Sequence, residues 1–81
     1  MRVSVIGGST VTESEAEVAA AVGELLATRG HTLVCGGYGG VMEAACRGAV
    51  DAGGHTIGIL SSDDPDDANP YVKEPIATGL G

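Results

Sequence analysis

Apolar and polar positions alternate over Arg2-Val3-Ser4-Val5-Ile6, a β-type run that ends at Gly7-Gly8-Ser9. The period then changes. Thr12 and Glu15 have the spacing of a capping box, in which the Thr hydroxyl accepts from the amide three residues on and the Glu carboxylate reaches back. Behind them Val18, Val22, Leu25 and Leu26 recur at i, i+4, i+7 and i+8, the spacing of one helical face. Arg29 suits the negative end of that helix, and Gly30 is its expected stop.

The same order follows once more. His31-Thr32-Leu33-Val34-Cys35 reads as a second strand and runs into Gly36-Gly37-Tyr38-Gly39-Gly40. A second helix is predicted over about 40–52, with Val41, Met42, Ala45, Cys46, Ala49 and Val50 as its apolar stripe and Gly53-Gly54 as its stop. His55 to Leu60 reads as a third strand. Gly30-His31-Thr32-Leu33 and Gly54-His55-Thr56-Ile57 echo one another as helix stop and strand start, which reflects the βα period and not a repeat protein. Strands and helices alternating through short joints predict right-handed crossovers and a parallel sheet. Residues 1–60 therefore read as the β-α-β-α-β start of a three-layer α/β fold. Residues 61–81 read as an acidic loop and an incomplete continuation, with one short extended candidate around Pro75-Ile76-Ala77. Three strands and two helices leave an open edge and a bare sheet face, so the 81 residues read as a truncated piece or as a protomer that completes itself by association.

Composition narrows the partners. A chain of 81 residues makes one small domain, which buries only about 60% of its unfolded surface. There is no Trp and no Phe, so the core must come from small aliphatic side chains. Eleven acids stand against four bases, for a net charge of −7. That argues against nucleic-acid backbones and anionic membranes, both of which need clustered Lys and Arg. Lys73 is the only lysine. An acidic, Lys-poor surface fits either an ordinary cytoplasmic protein or a halophilic source. Cys35 and Cys46 have no metal or CxxC spacing and read as buried small hydrophobes. Asp63, Asp64, Asp66 and Asp67 form a Pro-broken cluster that fits a solvated loop better than a metal site. No leader and no apolar run of about 18 residues is visible, which predicts a cytoplasmic protein.

Two glycine-rich turns carry the candidate chemistry. In a parallel sheet both Gly7-Gly8-Ser9 and Gly36–Gly40 lie at the carboxyl ends of strands, where ligands bind. Glu13, Glu15 and Glu17 open the first helix and would repel a phosphate. The second helix opens on glycines, with no acid until Glu43. Its amides suit an anion by geometry and field. The phosphate of a ligand is therefore placed on Gly37, Gly39 and Gly40, and its less charged part near Gly8 and Ser9. Neither G-x-G-x-x-G nor G-x-x-x-x-G-K-[ST] occurs, which speaks against a standard dinucleotide enzyme and a P-loop. Glu43 reads either as a ribose or acid/base group or as an ordinary helix-start acid. Tyr38 reads either as a base-stacking ring or as cover for the loop. His31 and His55, at strand starts, read as structural.

The stretch Cys35-Gly36-Gly37-Tyr38-Gly39-Gly40-Val41-Met42-Glu43-Ala44-Ala45 resembles the LOG-like family, whose members have carried a lysine-decarboxylase label. It is most similar to the branch that contains the molybdenum-cofactor carrier proteins. The likeness continues through Arg47-Gly48-Ala49, Thr56 to Leu60, Asn69-Pro70-Tyr71 and Ile76-Ala77-Thr78-Gly79. It implies a Rossmann-like fold, usually dimeric or a higher homo-oligomer, with a small phosphorylated ligand such as a nucleoside monophosphate or a molybdopterin-type group. It would line the pocket with Gly7, Gly8, Ser9, residues 36–40, Thr78 and Gly79. Some members cleave the N-glycosidic bond of nucleoside 5′-monophosphates, using a PGGxGTxxE segment and an earlier arginine. Neither occurs in these residues, so no catalytic residue is assigned. Three readings follow: a cofactor-binding module, a phosphoribohydrolase, and a fragment that folds only on association.

Overall fold

Both helices begin and end where their caps dictate. The computed structural model describes residues 1–8 and 10–80; it comprises β1 (Arg2–Ser4), α1 (Glu13–Thr28), β2 (Thr32–Cys35), α2 (Val41–Asp51), β3 (Thr56–Leu60), a 3₁₀ turn (Pro65–Asp67) and β4 (Glu74–Ala77). The capping box of α1 is complete. The Glu15 amide donates to Thr12 Oγ1 at 3.2 Å, and the Thr12 amide donates to Glu15 Oε1 at 3.0 Å. That second bond favours the carboxylate and holds Glu15 below the usual range. At the other end Gly30 turns left-handed, with φ 76°. The Gly30 amide donates to Ala27 and the His31 amide to Leu26, which closes a Schellman motif. Gly53 and Gly54 end α2 in the same way, on Val50 and Ala49.

The four strands are parallel and lie in the order β1-β2-β3-β4. The extended candidate near Pro75 is β4, and it joins the same sheet as residues 1–60, with Ile57 opposite Glu74 and Ile59 opposite Ile76. Each strand lies beside its predecessor, so right-handed crossovers carry both helices to one face. Leu33, Cys35, Thr56 and Leu60 are buried beneath that helical layer. Val34, Ile57, Ile59 and Ile76 face the other way and, with Arg2 and Glu74, line an open hollow of about 240 Å³. The fold is a Rossmann-like α/β sheet, with one face covered by the described helices.

The helical layer corrects one expectation. Val18, Val22 and Leu25, the apolar stripe of α1, are 64%, 42% and 50% exposed. Ala19 and Gly23 are buried instead, with Ala16, Leu26 and Ala27 half-buried beside them. The reason is the closeness of the two helices. A Cβ placed on Gly23 would collide with the Ala45 carbonyl oxygen, and one on Gly48 with the Ala20 carbonyl oxygen. Only Ala and Gly fit such a crossing, so the larger side chains rotate outward. The stripe of α2 does form the core: Ala45, Cys46 and Ala49 are almost wholly buried.

This crossing yields a test by sign. Replacing an ordinary helix-interior Gly by Ala stabilises by about 1 kcal/mol. Gly23→Ala and Gly48→Ala should instead destabilise, by roughly 1–3 kcal/mol or more because the obstacle is backbone. Urea denaturation reads the difference, and a stabilised variant would refute the close crossing.

Candidate functional site

The carboxyl ends of β1, β2, β3 and β4 bring four short segments to one edge: Gly7-Gly8, Gly36 to Gly40, Ser61-Ser62 and Thr78-Gly79. Ser9, placed in the site from sequence, lies outside the described residues.

The glycines of the 36–40 loop separate by role. Gly37 is buried, with φ 82°, and a side chain there would run into Leu60 and Gly58. Its amide donates to Cys35 Sγ at 3.3 Å and its carbonyl accepts from the Asn69 amide at 2.7 Å. Its amide thus points inward, which corrects its assignment to the phosphate. Gly36 faces the flexible end of Met42. Gly40 caps α2 with φ 71° and no side-chain bond. A Cβ on Gly39 would meet nothing within 4 Å, and its φ lies outside the left-handed region. Nothing in the fold requires glycine at that position.

The two glycine turns touch. The Val41 amide, first of α2, donates to the Gly8 carbonyl at 3.1 Å, and Gly7 lies against the Val41 side chain. The amides of Met42 and Glu43 follow in the same turn, where a helix supplies no carbonyl for them. Glu43 is within that first turn. It lines a hollow of about 160 Å³ with Val11, Ala16, Gly40, Ala44, Arg47 and Tyr71. Tyr38 spans the edge: its hydroxyl lies 3.2 Å from Ser61 Oγ and accepts from the Ser62 amide at 3.1 Å. The Ser61 contact, aided by the Ser62 amide, favours the phenolate and lowers the Tyr38 pKa. Thr78 donates through N and Oγ1 to the Leu60 carbonyl, and the Gly79 amide donates to Ser62. Thr78 and Gly79 therefore extend β4 beside β3 toward the glycine loop. His55 stands away from this edge, with its Nε2 3.0 Å from Glu74 Oε2.

Asn69 is the residue that the reading from chemistry missed. It is 8% exposed, and its Nδ2 donates to the Gly37 carbonyl at 3.3 Å and the Tyr38 carbonyl at 2.8 Å. Its Oδ1 accepts from the Tyr71 amide. Thr56, fully buried, anchors the same segment by donating to the Tyr71 carbonyl at 2.6 Å and accepting from the Lys73 amide at 2.8 Å. In the sequence Asn69 stood out only as part of the family likeness, in Asn69-Pro70-Tyr71, with no chemical role attached.

Beneath the loop, Cys35 and Cys46 are free thiols with their sulfurs 3.5 Å apart. The bond from Cys46, helped by the Gly37 amide, outweighs burial and lowers the Cys35 pKa to about 7. Cys46 is pushed up by its hydrogen bond with Cys35 and by burial. Among the described residues no group of three or more His, Cys, Asp or Glu is placed to hold a metal ion, and no helix is long and apolar enough to cross a membrane.

Two outcomes follow. Asn69→Ala leaves two loop carbonyls without their side-chain donor and should cost about 1–3 kcal/mol in urea denaturation; an unchanged midpoint would show that Asn69 does not hold the loop. Cys35 ionises more readily folded than at its ordinary value of 9.0, so its contribution is full above pH 9 and fades as pH falls toward about 7. Stability should rise between those values in the native protein and stay flat in Cys35→Ser, as read by denaturation at each pH.

Comparison with known proteins agrees with the resemblance carried by the glycine loop. The sequence profile of the SLOG cluster4 family matches residues 1–81. An uncharacterised protein of Archaeoglobus fulgidus is 42% identical over 81 residues, covering 100% of this chain and 53% of that protein. The molybdenum cofactor binding protein of Rippkaea orientalis superposes with a TM-score of 0.94 at 39% identity, over 99% of this chain and 50% of the other. The Moco carrier protein of Chlamydomonas reinhardtii gives 0.88 at 40% identity, again over 99% and 50%. The chain thus spans about half the length of these relatives. Matched over its whole length, the chain belongs to the SLOG cluster4 family.

Proposed function

We propose that this chain is a binding module for a phosphate-bearing cofactor of the molybdopterin type, acting in the cytoplasm and self-associating as a homodimer or higher homo-oligomer. The observation that carries the reading is Gly39. It is a glycine that the backbone does not require, beside open space, one residue before the cap of α2. With no side chain there, the start of α2 stays open beside the loop, and its first-turn amides form a cradle. That cradle fits a phosphate, which a molybdopterin-type group and a nucleoside monophosphate both carry. The matched structures are a molybdenum cofactor binding protein and a Moco carrier protein, which favours the pterin.

The groups divide the work. Gly39, Gly40 and the amides of Met42 and Glu43 hold the phosphate by hydrogen bonds and the helix field. The Glu43 carboxylate is an acceptor for the N–H edge of a pterin or base, and Arg47 adds a positive charge to the same hollow. At about 160 Å³ the hollow is below the ~300–1,000 Å³ of a site that encloses a whole drug-sized ligand. It therefore takes one group of the ligand, while the rest lies along Gly8, Tyr38 and Thr78-Gly79. No catalytic residue is part of this reading.

Calorimetric titration with the molybdenum cofactor, AMP and molybdate tests it. Binding of the cofactor or AMP, but not of molybdate alone, is expected, with about 2.7 kcal/mol of thermal stabilisation at a hundredfold excess over Kd. Gly39→Val should leave stability within about 0.5 kcal/mol and weaken binding at least tenfold. A folded protein that binds none of the three, or a Gly39→Val variant that binds as tightly as the parent, would refute the site. Base release from AMP would shift the reading to a phosphoribohydrolase.

A further inference from the structure

The stripe of α1 that the core does not use has its own order. Glu15, Val18, Val22, Leu25 and Arg29 follow one another at steps of three and four, the a/d spacing of a helix that pairs with another helix. At about 100° per residue the five fall within one strip, bordered by Ala19 and turned about 120° from Gly23. All five are exposed, and Arg29 continues the strip because its backbone, at φ −94° and ψ 8°, is still nearly helical. Beside the strip lies a hollow of about 410 Å³, lined by Val5, Val18, Ala19, Val22 and Val41 with only Ser14 and Glu15 at its rim. It is larger than the hollow at the glycine edge and is almost wholly apolar, so it suits a side chain and not a phosphate.

We propose that this strip is the surface on which a second copy of the chain docks, α1 against α1, antiparallel about a two-fold axis near Val22. The inference rests on the self-association proposed above and names its surface. Charge selects both the partner and the direction. The strip carries one acid and one base, at its two ends, on a protein of net charge −7. It is therefore a neutral band on a molecule whose net charge repels its own copies. Glu17 and Glu24 lie on a different side of the helix. In the antiparallel arrangement Glu15 of each copy faces Arg29 of the other, so two ion pairs roughly 21 Å apart bracket the apolar seam. A parallel arrangement would set Glu15 against Glu15 and Arg29 against Arg29. The capping box uses Oε1 of Glu15, and Oε2 is the oxygen offered to the partner. Leu25 of one copy comes opposite Ala19 of the other, where its bulk enters the apolar hollow. A two-fold contact of this kind closes on itself and stops at the dimer.

Sedimentation of the protein at micromolar concentration tests the arrangement, with circular dichroism as the check on folding. The parent should sediment as a dimer. Val22→Asp, at an exposed helix position, should be a folded monomer. Arg29→Glu should raise the dimer dissociation constant roughly tenfold by turning two attractions into repulsions. Adding Glu15→Arg to Arg29→Glu should restore the affinity, since each pair is then reversed. A monomeric parent would overturn both this surface and self-association itself. A dimer untouched by Val22→Asp but separated by Ile59→Lys would move the contact to the bare sheet face and overturn the seam alone. A double variant no tighter than Arg29→Glu would overturn the antiparallel pairing.

Discussion

The close crossing of α1 and α2 at Gly23 and Gly48 is the constraint from which the rest of the molecule follows. Two helices on the same face of a narrow parallel sheet must share the space above β2. They do so by removing side chains at the point of contact, until each backbone lies where a Cβ of the other would stand. Little large hydrophobic area is then buried between them. The core is built from Ala, Cys and two leucines, Leu33 and Leu60, and it gains through close contact what it lacks in area. A chain without Phe or Trp has few other ways to fill a helix layer.

That crossing also positions the site. It sets the start of α2 beside the first glycine turn, near enough for the Val41 amide to bond the Gly8 carbonyl. The 36–40 loop is then clamped from the opposite side by Asn69, and Tyr38 reaches across to Ser61 and Ser62. The glycines that remain serve different ends. Gly37 is held by the fold, and Gly39 is free of it. A cradle of amides at a helix start works only if it is rigid and open together. In the proposed cradle Asn69 holds the loop carbonyls and Gly39 leaves the helix start without a side chain.

The surface follows from the same cause. Side chains too large for the crossing leave α1 on its outer side, where they form an apolar strip with one charge of each sign at its ends. The second uncovered surface, around Val34, Ile57, Ile59 and Ile76, has a different origin: sequential strand order sends both crossovers to one face. Exposed apolar area calls for a covering surface in each case, and each surface carries charges of both signs, Glu15 and Arg29 on the α1 strip and Arg2 and Glu74 at the sheet face.

Much was legible in the residues alone, because local rules act on neighbours. The capping box, the two glycine stops, the three strands and the fourth extended segment all depend on spacings of a few residues, and each formed where it was read. The glycine loop was recognisable from its composition and its place between strand and helix, and it carried the family with it. What sequence did not settle were relations between distant residues. Which face of α1 is buried depends on how near α2 comes, and hydrophobicity favoured the wrong face. Whether an amide in the 36–40 loop points outward depends on Asn69, some thirty positions later, and on a thiol beneath it. Local chemistry thus determined the elements and the family; tertiary contact decided which amides and which apolar face remain available, because exposure is set by what the rest of the chain comes to cover.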